Sequence, residues 1–123
     1  MRALALTALA LFSVVSLAAC GGGPGANQPP GSIKVSLTEF AFTPSALTAR
    51  QGRVVFFLVN DGSQSHDLVI TDSAGKRIAA SELLSAGDSN VFTVDNIATG
   101  SYIILCDQPG HEASGMKGSL TVS

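Results

Sequence analysis

Tyr102-Ile103-Ile104-Leu105-Cys106-Asp107-Gln108-Pro109-Gly110-His111-Glu112-Ala113-Ser114-Gly115-Met116-Lys117-Gly118-Ser119-Leu120-Thr121-Val122 reads as three pieces in succession. An apolar run ends at Cys106. At the other end Gly118, Leu120 and Val122 alternate with Lys117, Ser119 and Thr121. Alternation with a period of two belongs to extended chain, whose successive side chains point to opposite faces of a sheet. The piece between is rich in Gly and Pro, which break regular structure. The stretch therefore predicts strand, loop, strand.

The same period runs through the upstream chain. Ile33, Val35 and Leu37 alternate with polar partners, Val54 to Val59 is a continuous apolar run, and Leu68 to Ile70 and Asn90 to Val94 follow. Turn formers separate them at Thr43-Pro44-Ser45, Arg50-Gln51-Gly52, Asn60-Asp61-Gly62, Ser73-Ala74-Gly75, Ala86-Gly87-Asp88 and Ala98-Thr99-Gly100. Ala79 to Leu84 reads as a short helical turn. Roughly seven short strands in about ninety residues predict an all-β fold, a two-sheet antiparallel β-sandwich.

The chain has 123 residues, 46% of them hydrophobic. That allows one domain. The first 19 residues hold 15 of the hydrophobic ones, with Arg2 ahead of an apolar run from Ala3 to Leu17 that is short for a membrane span. The run closes in Leu17-Ala18-Ala19-Cys20, which resembles the bacterial lipobox, where the signal peptide is cut before a Cys whose thiol carries the lipid. Residues 1–19 are thus expected to be a lipoprotein signal peptide and Cys20 the lipidation site. Gly21 follows, so the aspartate that would retain a Gram-negative lipoprotein at the inner membrane is absent. Eight of the eleven residues from Gly21 to Gly31 are Gly or Pro, a tether of at most about 36–40 Å when extended. The folded domain is then 32–123. The expected location is extracytoplasmic, anchored by lipid to a bacterial membrane on its periplasmic side or at the cell surface.

Without residues 1–19 the chain has six basic and nine acidic residues and no basic cluster, which argues against nucleic acid as a partner. Two histidines exclude a multi-metal centre built on several imidazoles. With Cys20 lipidated, Cys106 is the remaining thiol in an oxidising compartment, where an unpaired cysteine needs a protected role. Cys106, His111 and Met116 recur at five-residue intervals within one loop. A thiolate and an imidazole as strong ligands with a thioether as a weak axial one suit copper. A second imidazole is required, and His66 is the other histidine. His66 opens a strand and Cys106 closes one, so an antiparallel pairing of these strands brings both to the same end of the sandwich. Asp67, Asp107 and Glu112 adjoin three of the four residues. Their charges are expected to favour Cu(II) and lower the reduction potential, an effect weakened by salt.

The segments Asn60 to Ile70 and Tyr102 to Val122 closely resemble the cupredoxins, the plastocyanin/azurin family of blue copper proteins, and the likeness extends from Ser32 to the C-terminus. The resemblance implies a Greek-key sandwich holding one copper that cycles between Cu(I) and Cu(II), with His66, Cys106 and His111 as equatorial ligands and Met116 as the axial one. It implies an electron carrier, not an enzyme, with His111 on an exposed loop as the exit for the electron. A redox donor and a redox acceptor protein are the expected partners, beside the membrane, and the chain is expected to be a monomer. Some details depart from the family pattern. Four residues separate Cys106 from His111, and four separate His111 from Met116. Asp67 stands where many members have Asn, so the side-chain bridge between the ligand loops is not implied. Ser65 stands where azurin has Gly, so an extra carbonyl ligand is not implied either.

Gly110 occupies the position of the second Cys of a binuclear copper centre, which makes the site mononuclear. No histidines remain for a catalytic copper or for a Ser/His/Asp triad. The alternative is a copper carrier or buffer that delivers copper to a periplasmic or membrane cuproenzyme. Exchange sites for that task are expected to be rich in Met and His, and only Met116 remains once Met1 is cleaved. A zinc-binding structural protein is weaker still, because a thioether suits copper better than zinc.

Overall fold

The computed structural model describes residues 25–123. The expected signal peptide, Cys20 and the first part of the expected tether lie outside them. Among the described residues the chain forms nine strands, β1 (Ile33–Thr38), β2 (Ala41–Thr43), β3 (Ala46–Ala49), β4 (Gly52–Asn60), β5 (Val69–Thr71), β6 (Arg77–Ala80), β7 (Ser89–Ile97), β8 (Gly100–Leu105) and β9 (Lys117–Val122). They make two sheets, one in the order β2-β1-β4-β7 and the other in the order β3-β9-β8-β5-β6. The sandwich read from the sequence is present, and the chain crosses repeatedly between its layers.

Alternation decides which side chains meet. Val35 and Leu37 of β1, Val54, Phe56 and Leu58 of β4, and Phe92 and Val94 of β7 face inward from the first sheet. Ile70, Ile104, Leu120 and Val122 face them from the second. Phe56 and Phe92 are register partners and stack with ring centroids 5.8 Å apart. Burying side chains of this size contributes roughly 1.5–3 kcal/mol each, enough to hold the layers together.

Two expectations are corrected. The sheets are mixed rather than antiparallel, since β1 pairs with β4 and β3 pairs with β9 in parallel. Hydrophobic period reports which face a residue occupies and is silent about strand direction. The second correction concerns Ala79 to Leu84, where no helical turn forms. Ala79 and Ala80 lie in β6 and pair with β5, Ser81 N–H donates to the Leu68 carbonyl at 2.9 Å, and Leu84 bridges His66. These backbone groups are satisfied sideways, which leaves none for an i to i−4 ladder.

Gly118 shows how closely the chains approach beside the site. A Cβ there would overlap the carbonyl oxygen of Ser45, which accepts the Ser119 N–H at 2.8 Å. The start of β9 is thereby pressed against the β2–β3 connection, and this fixes where the loop from Cys106 to Met116 must end.

Candidate metal centre

β5 and β8 are antiparallel with Val69 opposite Leu105. Continuing that register past the strand ends carries His66 and Cys106 to the same end of the sandwich, as read from the sequence. His66 does not belong to β5. It sits ahead of the strand, held by two backbone hydrogen bonds to Leu84, at 3.0 and 2.9 Å.

The loop between β8 and β9 is closed by its own backbone. Cys106 N–H donates to the Met116 carbonyl at 3.2 Å, and Met116 N–H donates to the His111 carbonyl at 3.0 Å. Further bonds from His111 to Gln108, from Ser114 to Gly110 and from Gly115 to Glu112 wind the loop into tight turns. Gly110 and Gly115 take φ of +82° and +110°, a region that side chains disfavour. The winding turns His111 inward.

The result is a convergence of three buried donors. His66 Nδ1 lies 3.2 Å from His111 Nδ1, and His111 Nδ1 lies 3.4 Å from Cys106 Sγ. The three donor atoms all lie within 4.8 Å of one another. Bonds of about 2.0–2.3 Å to one central ion would space three such donors roughly 3.5–3.8 Å apart. The arrangement fits a single metal ion, and two imidazoles with one thiolate suit copper. Met116 is fully buried, and its backbone brackets the same loop. Of the four predicted ligands, the structure brings the donor atoms of three together and places the fourth at the neck of their loop.

Burial pushes the Cys106 thiol up to about 11. Without a cation this sulfur is a protonated, unreactive thiol, and a bound metal ion would hold it as thiolate.

The side-chain bridge that the Asp67 departure left unimplied is present. Asp67 Oδ1 accepts the Asp107 N–H at 3.0 Å, so an aspartate ties the His66 segment to the Cys106 loop. Burial pushes the Asp67 carboxyl up, helped by the Asp107 carboxyl. Asp107 is held low, by its bond with the Asp67 side chain first and then by Arg77. Asp107 pairs with Arg77, and Glu112 pairs with Lys117 at 3.2 Å. The expected net negative field at the site is therefore partly cancelled by two cations.

Three contacts were not anticipated. Asn60 is fully buried, and its Nδ2 donates to the carbonyls of Gln64 and Leu84 at 2.8 and 2.9 Å. Glu39 Oε1 accepts the N–H groups of Ser63 and Gln64 at 2.7 and 2.8 Å and lies 3.3 Å from His66 Nε2. Those backbone bonds bring its carboxyl down to about 2, so it is a carboxylate. Phe40 meets the His111 ring edge to face, with centroids 5.2 Å apart. An isolated acid and aromatic between two strands gave no sign of this. The one available hint is that Glu39, just past β1, stands where the alternation of Ile33, Val35 and Leu37 would place a further apolar residue.

The comparisons with known proteins agree with this geometry. A family model for a cupredoxin-like domain matches residues 4–122. Auracyanin-B of Chloroflexus aurantiacus is 44% identical over 46 residues, a stretch that spans 37% of this chain and only 20% of that protein. The crystal structure of reduced auracyanin from Roseiflexus castenholzii superposes with a TM-score of 0.68 at 28% identity, covering 75% of this chain and 96% of that one. A structure of auracyanin B gives 0.69 at 25% identity, covering 84% and 96%.

Proposed function

Because this chain belongs to the family of cupredoxin-like domains, with a His-Cys-His site compatible with one copper, we propose that it is a one-electron carrier tethered to a membrane through lipid on Cys20. The observation that carries this reading is the buried trio His66, Cys106 and His111, with Glu39 behind His66 and Asp67 tied to the loop that carries Cys106 and His111. Bound copper supplies a one-electron change between Cu(I) and Cu(II). The chain's own residues keep the donor atoms from moving while this happens. Glu39 braces His66, Asp67 braces the Cys106 loop through Asp107 N–H, and the Met116 backbone closes that loop. A donor set that stays in place keeps reorganisation small, and this favours electron transfer over bond-making.

Met116 is the proposed axial ligand. Its position at the loop neck and its burial support that role. His111 is the proposed exit for the electron. Pro109, Gly110 and Ala113 beside it are exposed, small or apolar, and suit brief docking of a redox partner.

Two measurements separate this reading from copper delivery. Electron exchange between the Cu(I) and Cu(II) forms, followed by NMR line broadening, should be far faster than loss of Cu(I) to a competing chelator. Slow electron exchange with rapid copper loss would favour the carrier of copper. Detergent phase partitioning tests the anchor: the protein should enter the detergent phase, and Cys20→Ala should return it to the aqueous phase.

A further inference from the structure

The turn between β1 and β2 is two residues long, Glu39 and Phe40, and it belongs to the sheet that supplies none of the three donors. It nevertheless touches both imidazoles. Glu39 Oε1 lies 3.3 Å from His66 Nε2, the nitrogen facing away from the other donors. Phe40 packs edge to face on His111. Phe40 holds φ at +63°, a left-handed conformation that costs a non-glycine residue roughly 1–2 kcal/mol. A turn under that strain persists when its surroundings fix it.

The Glu39 carboxylate is itself anchored. The oxygen that meets His66 also accepts two backbone N–H groups, from Ser63 and Gln64. Beneath it lies Gly62, where a Cβ would come within 2.6 Å of Oε1. Glycine at 62 leaves the space in which this carboxylate sits.

We propose that Glu39 is the positioning residue for His66. It takes the Nε2 proton in a hydrogen bond, which leaves the Nδ1 lone pair aimed at His111 and Cys106, and its negative charge makes that imidazole a stronger donor toward Cu(II). Carboxylates behind metal-bound histidines act in this way, and removing one typically costs about 10–100-fold in metal affinity. The inference rests on the reading of this trio as a copper site.

Three variants test it. Glu39→Gln keeps an oxygen that can accept the Ser63 and Gln64 N–H groups and removes only the charge. Glu39→Ala removes the acceptor. Gly62→Ala keeps the carboxylate in the sequence but pushes it off His66. In the copper-free protein, ¹⁵N shifts of His66 should report an Nε2–H tautomer in wild type and in Glu39→Gln, and a mixture in Glu39→Ala and Gly62→Ala. Cu(II) affinity should fall about 10–100-fold in the latter two. The reduction potential of Glu39→Gln should rise, which a merely structural clamp on the 63–64 backbone would not produce. Unchanged ¹⁵N shifts in Glu39→Ala, or an unchanged potential in Glu39→Gln, would overturn the proposal. A wild-type protein without a thiolate-to-copper band would instead break the copper reading itself, so the two failures are distinguishable.

Discussion

The two segments that meet at the metal centre are held in opposite ways. The loop from Cys106 to Met116 is largely self-contained, since its backbone hydrogen bonds run between its own groups and close its ends on each other, save for the Asp107 N–H that Asp67 accepts. The His66 segment makes almost none of its own. Its position is set by Asn60, by Leu84 and by Glu39, the last 27 residues away in sequence. One half of the site is therefore local and the other is assembled by the fold. Side-chain changes should accordingly be tolerated in the first and felt in the second.

The sharpest way to break this contrast is Asn60→Ala. It strips a buried partner from the carbonyls of Gln64 and Leu84 and from the Gly62 N–H, which Asn60 Oδ1 accepts at 3.0 Å. The copper-free protein should lose about 2–4 kcal/mol in urea unfolding. A loss below about 1 kcal/mol would mean that the His66 segment is not held from outside. Next in size is Asp67→Ala, which cuts the tie between the two segments and should cost about 1–2 kcal/mol. Asp67→Asn keeps the accepting oxygen and removes a buried ionisable group, so at neutral pH it should be as stable as wild type or more so.

Smaller effects belong to the surface pairs around the loop. Arg77→Ala and Lys117→Ala should each cost less than about 1 kcal/mol, and 1 M salt should erase the difference. Smallest of all is Ser114→Ala, at an exposed position whose hydrogen bonds are made by the backbone. It should change stability by no more than about 0.5 kcal/mol. A larger loss there would show that the loop depends on its side chains after all.

The same contrast explains what could be read from the sequence. Cys106, His111 and Met116 lie in one loop, so their spacing alone exposed them. His66 was reachable because the chain offers no other second imidazole. The roles of Glu39 and Asn60 were not, because Glu39 meets partners 24 to 27 residues away, and Asn60 reaches Leu84 24 residues on while its nearer partners, Gly62 and Gln64, are those of any turn former. Asn60-Asp61-Gly62 is a turn signal whatever the Asn60 side chain does, so the sequence marks Asn60 as a turn residue and no more. Strand faces were legible from alternation. The parallel pairing of β1 with β4 and of β3 with β9 was not, because direction depends on how the connections cross.

The central claim is that the local and the assembled halves join into one copper site. The most direct test is a titration of Cu(II) into the chain carrying Cys20→Ser, in which Cys106 is the single thiol, followed by visible absorption. The account predicts an intense thiolate-to-Cu(II) band that saturates at one copper per chain and is lost in Cys106→Ser. No band, or a band that survives the Cys106 substitution, would contradict it.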